Sequence, residues 1–442
     1  MSATPVKSGF CFALIAGALL VSAVGSQAQR AFKISISLTN QSQVVVRWTA
    51  QFATPIGDLF IVPHYQVQRS GDLKTWTSIG APFTGALLTN TVFIDSISGA
   101  AFYRVASIIS LEYAQLQNAI LDSGQMAGAD FLGASLFNAS LKSAQLQLAN
   151  FSGADLSNAD LFEADLSGAS LFGVEAANAT FNSASLQRVD ARFGDFQGAS
   201  MVRTDLTGAD LSSAILAGAS LDLARFQGSI LDTDTVIDPK PKLIWQIVNQ
   251  GASNAVLTNQ DLDRSFLESA NLNGAKLNDA NLFGSDLERA DLRGADLTRA
   301  DLRLVDFLGT QLDTNTILSS QTMLVWQIRN QNAGASANLA GASLDNVWLS
   351  SANLVNANLT GANCTNSEFF QANLGGANCT RASFLEADMP GTILTNANLT
   401  SANMTFVNLS GANLRDAITN GCDFSNAIFS KTIMPDGSVR NF

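Results

Sequence analysis

Leucine or phenylalanine recurs at every fifth position through most of this chain, and that spacing excludes most folds. From Leu111 to Leu231, 23 of 25 such centres are Leu, Phe or Met, Ala176 and Ala191 being the exceptions. From Leu257 to Leu312 all 12 conform, and from Leu339 to Phe429 16 of 19 do, the others being Cys364, Cys379 and Thr419. Five residues turn an α-helix by about 500°, so the centres would spiral around it rather than line one face. A plain strand fails too, because an odd period reverses the face at each repeat.

The internal pattern of each unit resolves the conflict. Ala stands two residues before most centres, as in Ala154-Asp155-Leu156-Ser157-Asn158. Two residues is the strand period, so Ala and the centre point inward and the Asp, Asn or Ser between them points outward. The other two positions carry Gly, Asn, Ser, Arg and Glu, which suit a corner. Each unit is therefore a short extended side plus a bend, with Ala where the sides crowd and Leu or Phe on the axis. Leu292 is then an axial residue, and Arg293 points out.

The motif A-[DNS]-L-x-x, repeated over about 280 residues, resembles the pentapeptide-repeat family. The resemblance implies an all-β fold, a right-handed quadrilateral β-helix with four units per coil. About 14 coils at about 4.8 Å would make a rod of roughly 65–70 Å, each coil stabilised by its neighbours.

The opening residues have the pattern of a secretory signal over 1–28. Lys7 is followed by an apolar run from Phe10 to Val24 and by Ser26-Gln27-Ala28 as a cleavage site. The run is short for a membrane span, so no span is expected after cleavage and the mature chain is expected to be exported. Residues 31–108 alternate β-branched and aromatic residues, and turn residues such as Ser70-Gly71-Asp72 break the alternation. A small antiparallel β-sandwich is expected there, ahead of the β-helix. The pattern Tyr65-Gln66-Val67-Gln68-Arg69-Ser70, Leu73, Trp76 and Phe102-Tyr103-Arg104-Val105 resembles fibronectin type III-like modules. Trp48 and Trp76 are expected in its core, and His64, the single His, in a surface loop.

Two breaks divide the β-helix into runs at 109–235, 255–316 and 337–434. The excursions at 236–254 and 317–336 are related to each other. Thr233-Asp234-Thr235 and Leu243 to Gln250 reappear 81 residues on as Thr314-Asn315-Thr316 and Leu324 to Gln331. Each is expected to leave the coil as a loop and short helix, with Pro239 and Pro241 delaying the first helix. Trp245 and Trp326 either pack these segments down or form a paired docking site. Residues 435–442 are expected to cap the last coil.

The net charge of −12 is uneven. Residues 111–235 hold 15 acids against five bases, while residues 1–110 hold three against seven. Positions 20 apart should stack, so Asp155, Glu175 and Asp195 share one outward column. That column is a candidate interaction surface or cation ladder, although a solvated, aggregation-resistant surface also accounts for it. In the second run Asp286 to Asp306 lie beside Arg289, Arg293, Arg299 and Arg303. Some pentapeptide-repeat proteins imitate DNA, but an exported chain would not meet a cytoplasmic target. No basic, aromatic-studded face points to nucleic acid.

No zinc spacing, calcium-loop motif or phosphate-binding glycine loop is present. Cys364 and Cys379 occupy centres and are expected as buried fillers, Cys422 occupies an Ala position, and an odd number on repeat positions after loss of Cys11 with the signal does not indicate a disulfide framework. No catalytic residue, metal or cofactor is expected. The sequence therefore reads as an exported, non-enzymatic scaffold or protein-interaction module with an unidentified protein or cell-envelope partner. The alternative is an extracytoplasmic glycan- or cation-binding surface protein.

Overall fold

The computed structural model describes residues 111–441 in full, and before them the backbone of seven strands. These are β1 (Lys33–Leu38), β2 (Val44–Thr49), β3 (Thr54–Ile56), β4 (Leu59–Ile61), β5 (His64–Ser70), β6 (Thr77–Thr84) and β7 (Phe102–Ile108). β1 pairs with β2 and β3 with β4, and β5 lies between β6 and β7, all antiparallel. The signal segment 1–28, the packing of these strands as a sandwich, and the side chains of Trp48, His64 and Trp76 lie outside the described residues. The chain forms two compact units, Met1–Ser220 with Gly228–Ile237, and Leu221–Gln227 with Asp238–Phe442.

The same five-residue unit builds the described coils of both. In the unit centred on Leu156 every backbone N–H has a partner. Asp155 N–H donates to Ala134 O one coil back, at 2.9 Å. Leu156 and Asn158 donate one coil forward, to Glu175 O at 2.6 Å and Ala177 O at 3.0 Å. Ala159 N–H closes the corner on Leu156 O at 2.9 Å. The fifth N–H, of Ser157, is taken by the Asp155 carboxylate at 2.9 Å. Parallel bridges join residues 20 apart, as Ser135↔Asp155↔Glu175↔Asp195, so four units close one coil.

The corner explains the last two positions of the motif. Its second residue has a positive φ, which type II geometry requires at that place. Gly, Asn and Ser fill many of these positions, but Arg188 (φ 54°), Leu223 (φ 56°) and Phe406 (φ 59°) also adopt it. Left-handed backbone is costly for such residues. It persists here because the hydrogen bonds on both sides of each corner leave no other geometry.

The centres fill the axis in each unit. Leu156, Leu161 and Leu166 are fully buried in the first, and Leu272, Leu292, Leu359 and Cys364 in the second. Leu312, beside an excursion, is only half-buried. Phe131 and Phe151, 20 residues apart, stack with centroids at 4.5 Å and planes at 4°. The two small centres of the first run also find a reason. Ala176 adjoins Phe181 and Ala191 adjoins Phe196 along the coil, and Phe181 meets Phe196 edge-on at 5.9 Å. Small residues beside large ones keep the axis filled without overpacking.

Buried hydroxyls at the Ala position bond inward to a centre's carbonyl. Thr204 Oγ1 donates to Phe181 O at 2.7 Å and Ser285 Oγ to Leu262 O at 2.6 Å. The C-terminal cap is a two-residue hairpin of β8 (Thr432–Ile433) and β9 (Val439–Arg440). Arg440 lies 4.0 Å over the ring of Phe429, the last buried centre.

Candidate functional site

Asp155, Glu175 and Asp195 stand in one bridged column of the first unit, as the 20-residue spacing requires. Their carboxylates do not converge. Asp155 accepts from Ser157 N–H at 2.9 Å and Asp195 from Gln197 N–H at 3.0 Å. Among the described residues no group of three or more His, Cys, Asp or Glu side chains is arranged to hold a metal ion. The same contact recurs throughout, from Asp160 to Phe162 N–H, Asn398 to Thr400 N–H and Asp423 to Ser425 N–H. An outward Asp or Asn therefore satisfies the one N–H that the coil leaves unpaired, as in an Asx turn. Sequence reading treated these acids mainly as solvating groups. The signal was present in the D/N-x-S/T triplets, where the hydroxyl also donates to the carboxylate or amide oxygen, as Ser167 Oγ does to Asp165 Oδ1 at 2.6 Å.

In the second unit the arginines clamp the acids. Arg293 grips Asp291 at 2.9 and 2.7 Å, Arg303 grips Asp301 at 2.9 and 2.6 Å, and Arg299 grips Asp279 at 2.7 and 2.6 Å. These bonds hold the three carboxyls below the usual carboxylate range. Asp286 behaves oppositely. Burial, reinforced by the charges of Asp306, Glu288 and Glu268, pushes its carboxyl up to about 6, against a partial offset from Glu288 N–H.

That shift has a sign. Between the unfolded carboxyl value and about 6 the folded chain binds the extra proton, so stability falls as pH rises through this window. Above it the full penalty of a buried charge remains. Asp286→Asn keeps the oxygen that accepts Glu288 N–H, 2.8 Å away. It is expected to raise stability at pH 7–8 by roughly 2–3 kcal/mol and to flatten the slope between pH 4 and 6. Urea denaturation at a series of pH values reads both effects, and an unchanged slope contradicts this assignment.

Both excursions are helical: α1 spans Pro239–Gln250 and α2 spans Ser320–Asn330. In each, an Asn reaches back to the coil. Asn249 Nδ2 donates to Phe226 O at 2.9 Å and Trp245 O at 3.0 Å. Asn330 Nδ2 donates to Phe307 O and Trp326 O, both at 2.9 Å. The Thr residues of the T-x-T signature bond likewise, Thr235 Oγ1 to Leu211 O and Thr316 Oγ1 to Leu292 O, both at 3.1 Å. These Asn and Thr side chains lie within the repeated motifs, yet sequence reading singled out the tryptophans instead.

Trp245 and Trp326 are each half-buried. The Trp326 indole N–H donates to Thr310 O at 2.8 Å. This contact is a packing one, so Trp326→Ala is expected to cost about 2–4 kcal/mol from lost burial and an orphaned carbonyl. Acrylamide quenching of a variant retaining only Trp326 should be weak, and full quenching with unchanged melting contradicts the packing role. α2 also carries a side chain that α1 lacks. The Arg329 side chain is only 4% exposed, pairs with Asp306 at 2.9 Å and donates to Ser350 O. Val248 stands at the matching place in α1, 81 residues earlier. A cavity of about 160 Å³ beside α2 is lined by Gln321, Val325, Asp345 and Trp348 among others.

Cys364, Cys379 and Cys422 are free thiols. Burial pushes Cys364 well above its usual value and Cys379 and Cys422 up to about 12, so none is a ready nucleophile.

The sequence profile for pentapeptide repeats matches in eight copies, at residues 110–153, 149–188, 195–228, 253–289, 280–314, 337–376, 377–416 and 408–440. Among solved structures the chain is similar to HetL, a pentapeptide repeat protein involved in heterocyst differentiation regulation from the cyanobacterium Nostoc sp. strain PCC 7120. The identity is 24%, over 74% of this chain and 94% of that one, with a TM-score of 0.21. It is similar to a pentapeptide repeat protein of the Arabidopsis thaliana thylakoid lumen at 26% identity, over 24% of this chain and 74% of that one, with a TM-score of 0.24. It is also similar to QnrB1, a plasmid-mediated fluoroquinolone resistance protein, at 15% identity over 53% and 99% of the two chains, with a TM-score of 0.21. No curated protein sequence matches the chain. The eight matched segments cover more than half of its residues and coincide with the five-residue coils, and the chain belongs to the pentapeptide repeat family.

Proposed function

We propose that the protein is an exported, non-enzymatic scaffold that presents the acidic sides of its first run to a basic partner of the cell envelope. The observation that supports this reading is the contrast between core and surface in the first unit. The axis is Leu, Phe or Met at every centre but Ala176 and Ala191, while the outward columns carry Asp155, Glu175 and Asp195 on one side and Asp190 and Asp210 on another. Only a few bases offset them, such as Lys142 on Asp160 at 3.0 Å and Arg192 on Asp190 at 2.8 Å. A rigid field of one sign steers an oppositely charged partner and fixes its register more than it adds raw affinity. Side chains tied to the backbone lose little further freedom on binding.

The test is capture from cell-envelope fractions on the immobilised full chain, at low and at physiological salt. The expected result is a basic protein that elutes as salt rises. A triple change of Asp155, Glu175 and Asp195 to Asn keeps an acceptor for the Ser157 and Gln197 N–H groups and should abolish capture without unfolding the coil. Salt-insensitive capture that survives the triple change contradicts the reading.

A further inference from the structure

The two excursions are copies of one element, so each serves as a control for the other. The helices lie 81 residues apart in sequence and the coils that follow them 82 apart. The backbone bears out this match. Leu223 N–H donates to Arg264 O at 2.6 Å, and Leu304 N–H donates to Asn346 O at 2.8 Å. Lys240 of α1 therefore corresponds to Gln321 of α2, and Asp263 corresponds to Asp345.

In the first copy Lys240 sets its ammonium on Asp263 and lies 3.5 Å from Asp261. Its neighbours Leu221, Pro241, Ile244 and Phe266 are all buried. The second copy lacks both features. Gln321 carries no charge and reaches only the backbone O of Asp345, at 3.3 Å. Thr322 and Val325 stand in place of Pro241 and Ile244. Leu302, which matches Leu221, is a centre yet only half-buried, and Trp348, which matches Phe266, is half-buried too. These four side chains, with Gln321 and Asp345, line the cavity of about 160 Å³.

Asp345 is an ionised group without a counter-ion. Ser343 Oγ donates to its Oδ1 at 2.5 Å and Asn346 Nδ2 to its Oδ2 at 3.1 Å. These bonds hold the carboxyl below the usual carboxylate range, so it is charged at neutral pH. Among the described residues no base pairs with it, and Arg303, the one arginine in the lining, is clamped on Asp301. The lining therefore has one negative charge in excess, which repels an anion and suits a single cation. A carboxylate has about four acceptor sites, so its neutral donors leave capacity for an ammonium. Bonds from an ammonium to a carboxylate are charge-assisted and strong for their length. The apolar part of the lining takes a body of matching size, since an apolar cavity of about 150 Å³ accepts benzene.

We propose that the cavity beside α2 binds a small primary amine in its ammonium form. Its apolar body lies among Leu302, Val325 and Trp348, and its ammonium sits on Asp345 as Lys240 sits on Asp263 in the first copy. The proposal does not depend on the acidic-side scaffold reading, which concerns the first run.

Isothermal titration of the full chain with benzylamine tests it. Saturable one-to-one binding is expected, at least tenfold weaker for the neutral analogue benzyl alcohol and absent for benzoate. Gln321→Lys gives the second copy the ammonium that the first already has, and should lower the affinity for benzylamine at least tenfold. Asp345→Asn removes the charge but keeps an oxygen for the Ser343 hydroxyl, and should weaken binding as much. Lys240→Gln should leave binding unchanged, because Pro241, Ile244 and Phe266 keep the first copy filled. If Asp345→Asn does not melt like the native chain, Gln321→Lys decides alone. No saturable binding at millimolar benzylamine, equal affinity for benzyl alcohol, or undiminished affinity in a folded Gln321→Lys or Asp345→Asn overturns the proposal. So does tighter binding of Nα-acetyl-lysine methylamide than of benzylamine, which would assign the site to a lysine side chain of a partner protein.

Discussion

Leu292→Asp is expected to destabilise the second unit by at least several kcal/mol, because it places an unpaired carboxylate on a dry axis. Leu292 is fully buried, as is Leu272 one coil away. Its N–H is spent on Gln311 O at 2.9 Å, so the backbone cannot turn the new side chain outward without losing the ladder. The neighbouring Arg293 is 51% exposed and clamps Asp291 at the surface. Its replacement by Gln is expected to cost at most about 1 kcal/mol, as exposed pairs do. Urea denaturation of both variants decides the register, and equal effects from the two changes contradict it.

Arg329→Val is expected to cost about 3–5 kcal/mol, the penalty for stranding one partner of a buried ion pair. Asp306 would then face the like charge of Asp286 with no cation beside it. The first excursion shows that a helix can dock with an apolar residue at this place. There Val248 replaces the arginine, and the position matching Asp306 is Arg225, which lies 4.4 Å over the ring of Phe266. Adding Asp306→Asn to Arg329→Val should therefore recover a large part of the loss. Limited proteolysis within 320–330 reports the local opening, and a double-mutant cycle in urea reports the coupling. A double variant no more stable than Arg329→Val alone contradicts the pairing as its cause.

The architecture was legible because it rests on one period. A spacing of five, with Ala two residues before each centre, leaves a bent side as the only repeat that keeps both residues inward. The resemblance to pentapeptide repeats supplied four units per coil, hence stacking at 20 residues and the column of Asp155, Glu175 and Asp195. What stayed hidden was the demand of a single backbone group. The Ser157 N–H has no carbonyl to meet, so the Asp155 side chain takes it. A pattern of polar residues does not distinguish a solvated carboxylate from one that completes the backbone. The excursions were legible as helices from their second 81-residue copy. Their anchors were not, because Asn249 and Asn330 act on carbonyls 23 residues away and only the fold sets that distance. Asp286 and Arg329 were obscure for a related reason. One sits in a column of acids and the other in a helix that differs from its copy, and only packing buries them.

Paired cysteines test the 20-residue coil most directly. Residues 155 and 175 are bridged partners on adjacent coils, whereas 155 and 165 lie half a coil apart on opposite sides. Neighbouring strands run about 4.7–4.9 Å apart, inside the Cα separation that a disulfide accepts. Cys11 is replaced by Ser in both chains, and Cys364, Cys379 and Cys422 are buried or half-buried and resist ionisation, so they compete little. Under mild oxidation the chain with Asp155→Cys and Glu175→Cys is expected to form an intramolecular disulfide rapidly and completely. The chain with Asp155→Cys and Asp165→Cys is expected to remain reduced. Ready closure of the second pair, or failure of the first, would contradict a coil of four five-residue units.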